Sequence, residues 1–422
     1  MITPERIMAW AIPGFFVLIG IELLIAKWRK RDVYYANDAI NSLGLGMMSQ
    51  IVGVFTKLFN IGIYGWCAVH LAMWTLPANR TWVWISGLLL YDLLYYWLHR
   101  LGHEVNVLWA AHVVHHQSES YNLTTALRQT GSGFLLGWIA YLPMALLGYP
   151  TEVFAVIALI DLLYQFWVHT EVIGRLGWFD RVFCSPSNHR AHHAVNDRYL
   201  DRNYGGILII WDRLFGSFVE ENEDDPPVYG TRAPLQSWNP LWANVEVYGA
   251  MLKDSWHARH WPDKLRVWIK PPGWRPADVA ARFPKAEFDM CHERYDPPLS
   301  KALRTYCIVQ FTLLLFIGVN FLDVAPKMAW APAAGYGMYL LYSLWAIGLL
   351  LEGRRMGMWL ELLRTAGTAA LVAISGRWFG MAHLDARIVV ALVALFGIST
   401  VALWLLASYE RRHGTPVRPV LE

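Results

Sequence analysis

Paired cysteines are missing from this chain, and so are most sequence marks of a self-contained redox enzyme. Its four cysteines, Cys67, Cys184, Cys291 and Cys307, are scattered. Without a C-x-x-C pair, neither a zinc ribbon nor a disulfide framework is indicated, and reduced thiols in a cytosol-facing protein fit best. No G-x-G-x-x-G, haem-binding H-P-G-G or ferredoxin-type cysteine cluster occurs, so electrons must come from a separate partner or a diffusible reductant. Charge is scarce. Asp, Glu, Lys and Arg make up 16% of the residues and the net charge is +3. No basic patch interleaves with stacking aromatics, which excludes a nucleic-acid partner. H-E-x-x-H is absent, against a zinc protease. The paired E-x-x-H motifs of carboxylate-bridged di-iron bundles are absent too.

Apolar residues are abundant, at 55% of 422, and Trp (23) and Tyr (20) are frequent, as where rings sit at lipid–water boundaries. Ile7 to Ala26 is an apolar run holding one acid, Glu22, and Lys27, Arg29, Lys30 and Arg31 follow at once. A cleaved signal would carry its basic residues first. This order reads as a retained membrane helix with a cytoplasmic C-terminal end. Residues 39–76 read as one crossing plus an interfacial piece, or as a hairpin, and parity favours a single net crossing. Trp82–Leu98 is the next span. Gly131–Leu147 and Glu152–Val168 read as an in–out–in hairpin. Residues 171–300 are polar and proline-rich, a cytosolic segment. Four more spans are expected over 305–322, 333–351, 357–375 and 386–407. The chain is thus expected to be an all-α, polytopic integral membrane protein. Membrane helices occupy 1–80, a catalytic domain 81–300 and a four-helix membrane region 301–422.

The chemistry gathers in three short boxes: His99-x-x-x-His103, His112-x-x-His115-His116 and, 73 positions on, His189-x-x-His192-His193. They hold eight of the fifteen histidines. Imidazole is a borderline ligand suited to iron, zinc, copper and nickel. Helical residues at i, i+3 and i+4 share a face, so each box can aim two or three nitrogens at one point. Eight imidazoles exceed one ion's needs and suit two, which predicts a cytosol-facing dinuclear centre. A polar stripe, Asp92, Tyr95, Tyr96, His99, His103, leads into the first box. Asp92 reads either as an acceptor that fixes an imidazole tautomer or as a helix-packing acid. A second stripe, Asp161, Gln165, His169, makes His169 a ninth ligand or a supporting donor. Glu104 reads as a carboxylate ligand, a supporting acid or an exposed residue. The boxes lack cysteine, unlike structural zinc sites. An all-imidazole pair at a membrane surface suits iron that activates dioxygen against a lipid C–H bond. The alternative from a different class is a non-enzymatic membrane metal-binding protein. Against transport, the histidines gather at one face rather than continuing across the spans.

These residues resemble the membrane fatty acid hydroxylase / sterol desaturase superfamily, and within it the alkylglycerol monooxygenase (glyceryl-ether monooxygenase) branch. The likeness is carried by Tyr91–Glu104, His112–Ser118, Leu163–Val172, Ser185–His193 and Asp201–Phe218. It implies two iron ions held by His99, His103, His112, His115, His116, His189, His192 and His193, with His169 as the added histidine of the intervening hairpin. It implies O2 as oxidant, a lipid substrate, and an external electron donor or tetrahydrobiopterin as reductant. On that branch the ether-bearing carbon of an alkylglycerol is hydroxylated, giving an aldehyde and glycerol. The boxes are common to the superfamily, so sterol or fatty acyl hydroxylation or desaturation stays open.

Overall fold

The computed structural model describes residues 4–290 and 293–413. They are helical, with no strand and only three isolated bridges among them. The order is α1 (Pro4–Trp28), α2 (Ala36–His70), α3 (Thr81–Glu104), α4 (Asn106–His116), α5 (Leu123–Ala126), α6 (Leu142–Leu146), α7 (Thr151–Trp167), α8 (Phe179–Val182), α9 (Pro186–His193) and α10 (Ile210–Phe215). Then come α11 (Pro240–His257), α12 (Trp261–Ile269), α13 (Ala277–Arg282), α14 (Lys301–Val324), α15 (Trp330–Leu351), α16 (Arg355–Ser375) and α17 (Ala386–His413). The chain divides into two compact units. One comprises Met1–Gly46, Phe55–Leu235 and Asn244–Glu293, the other Met47–Val54, Gln236–Ala243 and Arg294–Glu422.

Among the described residues, six helices are long and apolar enough to cross a bilayer: Ala11–Trp28, Ala36–Thr56, Lys301–Lys327, Trp330–Leu351, Arg355–Ser375 and Ala386–Glu410. Each spans 18 to 27 residues, against the ≈ 20 that a ≈ 30 Å hydrocarbon layer requires. This is an integral membrane protein, with fewer such helices than the nine spans expected. Residues 36–70 form one continuous helix. The expected span Gly131–Leu147 is two 3₁₀ turns, Gly133–Leu135 and Gly137–Tyr141, followed by α6. Three glycines, each costing about 1 kcal/mol of helix propensity, open this stretch. Pro143 cannot donate a helical bond and sits in the first turn of α6. Asn244 Oδ1 instead accepts the Gly131 N–H at 2.7 Å. α3 is long, but its buried stripe includes Asp92, Tyr96, His99 and His103. α7 is only 17 residues long.

In the first unit Tyr64, Val83, Tyr91, Met144, Tyr149, Val153 and Ile157 form a buried cluster from α2, α3, α6 and α7. Gly148 makes that packing feasible. Its φ is +87° and a Cβ there would lie 1.8 Å from the Trp74 carbonyl oxygen. Glu22, the one acid within the apolar run of α1, is buried and finds three donors: the Leu123 N–H at 2.9 Å and the hydroxyls of Tyr34 and Thr170. A charge at that depth needs such partners. They fasten α1 beside the start of α5 and the residue after His169. In the second unit α14–α17 form a bundle around a polar centre. There Glu361 accepts from Arg364 at 2.6 and 2.7 Å and from Tyr306 Oη at 3.0 Å.

Candidate metal centre

Four elements of the first unit deliver the histidines. α3 ends on His99 and His103, and α4 carries His112, His115 and His116. His169 follows the α7 C-terminus, its backbone N–H bonded to the Phe166 carbonyl at 3.4 Å. α9 is short and polar, yet well started. Ser185 is its N-cap, accepting the Asn188 N–H, and Pro186 opens its first turn. Every α9 residue is buried. Arg190 fixes the helix, donating twice to Glu221 at 2.8 Å and to the carbonyls of Thr170 (2.9 Å) and Ile173 (2.7 Å).

The nine imidazoles gather in two sets. His99, His103, His112, His116 and His192 form one, and His115, His169, His189 and His193 the other. Within each set the candidate ligand nitrogens all lie within 4.8 Å of one another. The middle and third boxes are each divided between the sets.

The tautomers test whether a cation fits. A carbonyl oxygen only accepts, so a ring nitrogen beside one carries the proton. His115 Nδ1 donates to Arg128 O at 2.9 Å and His169 Nδ1 to Gln165 O at 2.7 Å. In neutral rings both Nε2 atoms are then bare lone pairs, and they face each other at 3.0 Å. No hydrogen bond can join them. A cation between them resolves the repulsion. In the other set His99 Nδ1 donates to Tyr204 O (2.8 Å) and His192 Nδ1 to Arg202 O (2.9 Å). His99 Nε2 lies 3.0 Å from His112 Nε2, itself 3.1 Å from His116 Nε2. Buried Nε2 atoms of His103, His192 and His193 have no hydrogen-bond partner, the state of a nitrogen built to ligate. The donor set, all neutral imidazole, suits a transition metal.

Burial also holds the protons off. It pushes the imidazoles of His112, His116, His169, His189, His192 and His193 well below their ordinary range, with neighbouring rings adding to the effect for each. His115 falls to about 4, chiefly through burial. An unfolded histidine takes its proton near 6.5. Between about 6.5 and about 4 the unfolded chain therefore binds more protons than the folded one, and stability rises with pH. The metal-free protein is expected to lose thermal stability as the pH falls from about 7 to about 5 and to show a level profile above 7. Unfolding curves in detergent at each pH check this; no dependence over that window would overturn it.

Glu104 does not join either set. It pairs with Arg100 at 2.9 Å on a half-exposed surface. Asp92 is buried but touches no imidazole. Its oxygens accept the N–H groups of Ile207 (2.7 Å) and Leu208 (3.1 Å) and the Trp211 indole (2.8 Å). Tautomer fixing, one of the two readings of Asp92, is done for His99, His115, His169 and His192 by main-chain carbonyls. Asp92 instead holds the 207–211 segment, directly after the turn that supplies Arg202 O and Tyr204 O. Asp212 secures that turn by accepting the N–H groups of Tyr204 and Gly205, both at 2.7 Å. Gly206 lets it approach, since a Cβ there would lie 2.9 Å from Asp161 and 3.0 Å from Asp92.

Two contributors escaped the sequence reading. Asp201 Oδ1 sits 3.3 Å from His103 Nδ1. Its φ is +56°, as Asn203's is +57°, and the Asp-Arg-Asn-Tyr-Gly-Gly run carries a readable turn signal. Arg128 is fully buried, donating to Val114 O (2.6 Å) and Asn41 Oδ1 (2.7 Å), so the residue whose carbonyl orients His115 is anchored through its side chain.

A fatty acid hydroxylase family model matches residues 84–217, the stretch holding every histidine of both sets. An alkylglycerol monooxygenase of Danio rerio is 36% identical over 411 residues, covering 95% of this chain and 89% of the relative. The chain belongs to the alkylglycerol monooxygenase family. The Homo sapiens alkylglycerol monooxygenase is 35% identical, with 84% of this chain and 80% of the relative aligned. An ornithine lipid hydroxylase of Rhizobium tropici is 28% identical over 45% of this chain and 59% of its own length. No solved structure matches. As a family member the protein is an oxygen-dependent lipid monooxygenase of the membrane, as the histidine boxes and apolar helices anticipate.

Proposed function

We propose that the two imidazole sets hold two iron ions, and that the protein hydroxylates the ether-bearing carbon of an alkylglycerol at the cytosolic face of the membrane. The nine histidines His99, His103, His112, His115, His116, His169, His189, His192 and His193 are the ligands. The observation that carries this reading is the pair of facing lone pairs on His115 and His169, 3.0 Å apart. Bound iron supplies the strong oxidant that an unactivated C–H bond demands. One oxygen atom of O2 enters the C–H bond and the other leaves as water, consuming two electrons and two protons. The hemiacetal so formed collapses to an aldehyde and glycerol. Electrons come from tetrahydrobiopterin or a separate donor, as the chain has no flavin, haem or ferredoxin motif. The protein's own part is orientation. Carbonyls of Arg128, Gln165, Tyr204 and Arg202 and the carboxylate of Asp201 aim the rings, and Asp92 acts at one remove by holding the 207–211 segment. Glu104 contributes through its ion pair with Arg100.

The similarity to an ornithine lipid hydroxylase over 45% of this chain favours keeping sterol or fatty acyl hydroxylation or desaturation as the second reading. Purified enzyme in lipid nanodiscs should be given an alkylglycerol, a sterol and an acyl lipid, each with and without tetrahydrobiopterin. Aldehyde and glycerol from the ether lipid alone, dependent on the pterin, is the expected result by mass spectrometry. No aldehyde under either condition would overturn the substrate assignment.

A further inference from the structure

Helices α11 and α12 fit neither of the two kinds of helix described so far. They do not number among the spans, and they leave apolar side chains in the open. On α11, Val245, Leu252 and Trp256 are spaced by seven and four, one stripe along the helix. On α12, Trp261, Leu265 and Ile269 are spaced by four and form another. These six side chains are 51–81% exposed, Trp256 most of all. The opposite face of each helix is fully used. Met251 and Val267 are buried with Ala110 of α4, and Val107, Val247, Tyr248 and Trp268 pack around them. The exposed stripes are therefore a second apolar surface, in excess of what the core consumes. Contiguous patches of this kind mark interaction sites.

The charges around the stripes say what covers them. At 100° per residue, Lys264 borders one edge of the α12 stripe and Arg266 the other, and Lys253 borders that of α11. Lys270 closes the C-terminal end of α12. Two acids lie beside these basic residues: Glu246, about 20° from Lys253 around α11 and partly buried within reach of the Lys285 charge, and Asp263, which pairs with Arg266 at 3.0 Å. Tryptophan and aliphatic side chains flanked by lysine and arginine complement the boundary layer of a bilayer with anionic headgroups. We propose that the α11–α12 face lies in the membrane surface as a non-spanning anchor whose ligand is the anionic bilayer interface.

The anchor is joined to the histidines. Lys270 O accepts the Asn106 N–H at 3.0 Å and Val267 O accepts from Asn106 Nδ2 at 2.8 Å. Asn106 opens α4, the helix that carries His112, His115 and His116. Lys264 Nζ bonds the carbonyls of Ser255 (2.9 Å) and Trp256 (3.1 Å), locking α12 to the end of α11. Seating this pair of helices in the interface thus fixes the height of α4 above the lipid. The proposal stands independently of which metal or substrate the histidines serve.

The test uses the full chain in nanodiscs holding one copy each. In a Cys291→Ser background the remaining cysteines, Cys67, Cys184 and Cys307, are buried, so a nitroxide can be placed at Leu265→Cys, Leu252→Cys or the control Arg259→Cys. Collision with O2, which concentrates in lipid, is compared with collision with a water-soluble nickel chelate. Labels at 265 and 252 are expected to favour O2 several-fold over the label at 259. The preference should be larger in discs of phosphatidylcholine with phosphatidylglycerol than in phosphatidylcholine alone. Lys253→Glu with Lys270→Glu should remove that lipid dependence. Labels at 265 and 252 as open to nickel as the one at 259 would overturn the proposal. Shielding from both reagents would also overturn it, since a protein surface would then cover the stripe.

Discussion

A His115→Ala chain is expected to bind one metal ion instead of two and to show no turnover, and a His192→Ala chain to lose the other ion with the same loss of turnover. The reason lies in how the boxes divide. His115 belongs to the four-imidazole set and His192 to the five-imidazole set, so each substitution depletes one set and leaves the other complete. Alanine leaves the backbone of α4 or α9 intact, but it strips a nitrogen whose lone pair was aimed by a main-chain carbonyl, Arg128 O or Arg202 O. Elemental analysis by plasma mass spectrometry, with Mössbauer spectra of iron-57 protein, reads the two sets separately. The spectra of the two variants should be complementary, each keeping the component the other lacks. His260→Ala, an exposed histidine outside both sets, should keep both metals and full turnover. Retention of two metals in His115→Ala or His192→Ala would count against that residue as a ligand. A single tight zinc in the parent, with no oxygen consumption, would point to a structural or hydrolytic role instead.

The eight box histidines were legible because three and four residues is a helix repeat, and the 161–165–169 stripe exposed His169 by the same rule. Their division was not. His112 and His116 go one way and His115 the other because i+3 and i+4 side chains fan apart, and the partners that decide between them lie on α9 and after α7. The orienting acceptors were invisible for a plainer reason: a carbonyl belongs to every residue and has no letter in the sequence. Asp92 shows the limit from the other side. Its spacing placed it on the right face of α3, but its donors come from 115 to 119 positions further on. Hydropathy found the four helices of the second unit and both long helices at the start. It overcounted at 131–147, where the mean is apolar but three glycines and a proline forbid a long helix.

Arg364→Met is expected to cost roughly 3–5 kcal/mol, because it leaves the Glu361 carboxylate buried without its counter-ion. The pair sits inside the α14–α17 bundle with Arg364 3% and Glu361 0% exposed. Arg364 also donates to Gln310 Oε1 at 2.7 Å, and Gln310 to Ser399 Oγ at 2.8 Å, so one guanidinium ties α14, α16 and α17 together. Intramembrane charges are expensive wherever they are unpaired, and the unpaired acid rather than the lost attraction supplies most of the cost. The double variant Glu361→Met with Arg364→Met separates the two. Removing both charges lets apolar side chains fill the space, which for buried pairs is often neutral or stabilising by about 1–4 kcal/mol. Thermal unfolding in detergent should therefore fall sharply for the single variant and recover in the double. Turnover that also recovers would show the pair to be glue between helices. An inactive but stable double variant would instead assign the charges a role in the reaction, since nothing about packing would then account for the loss.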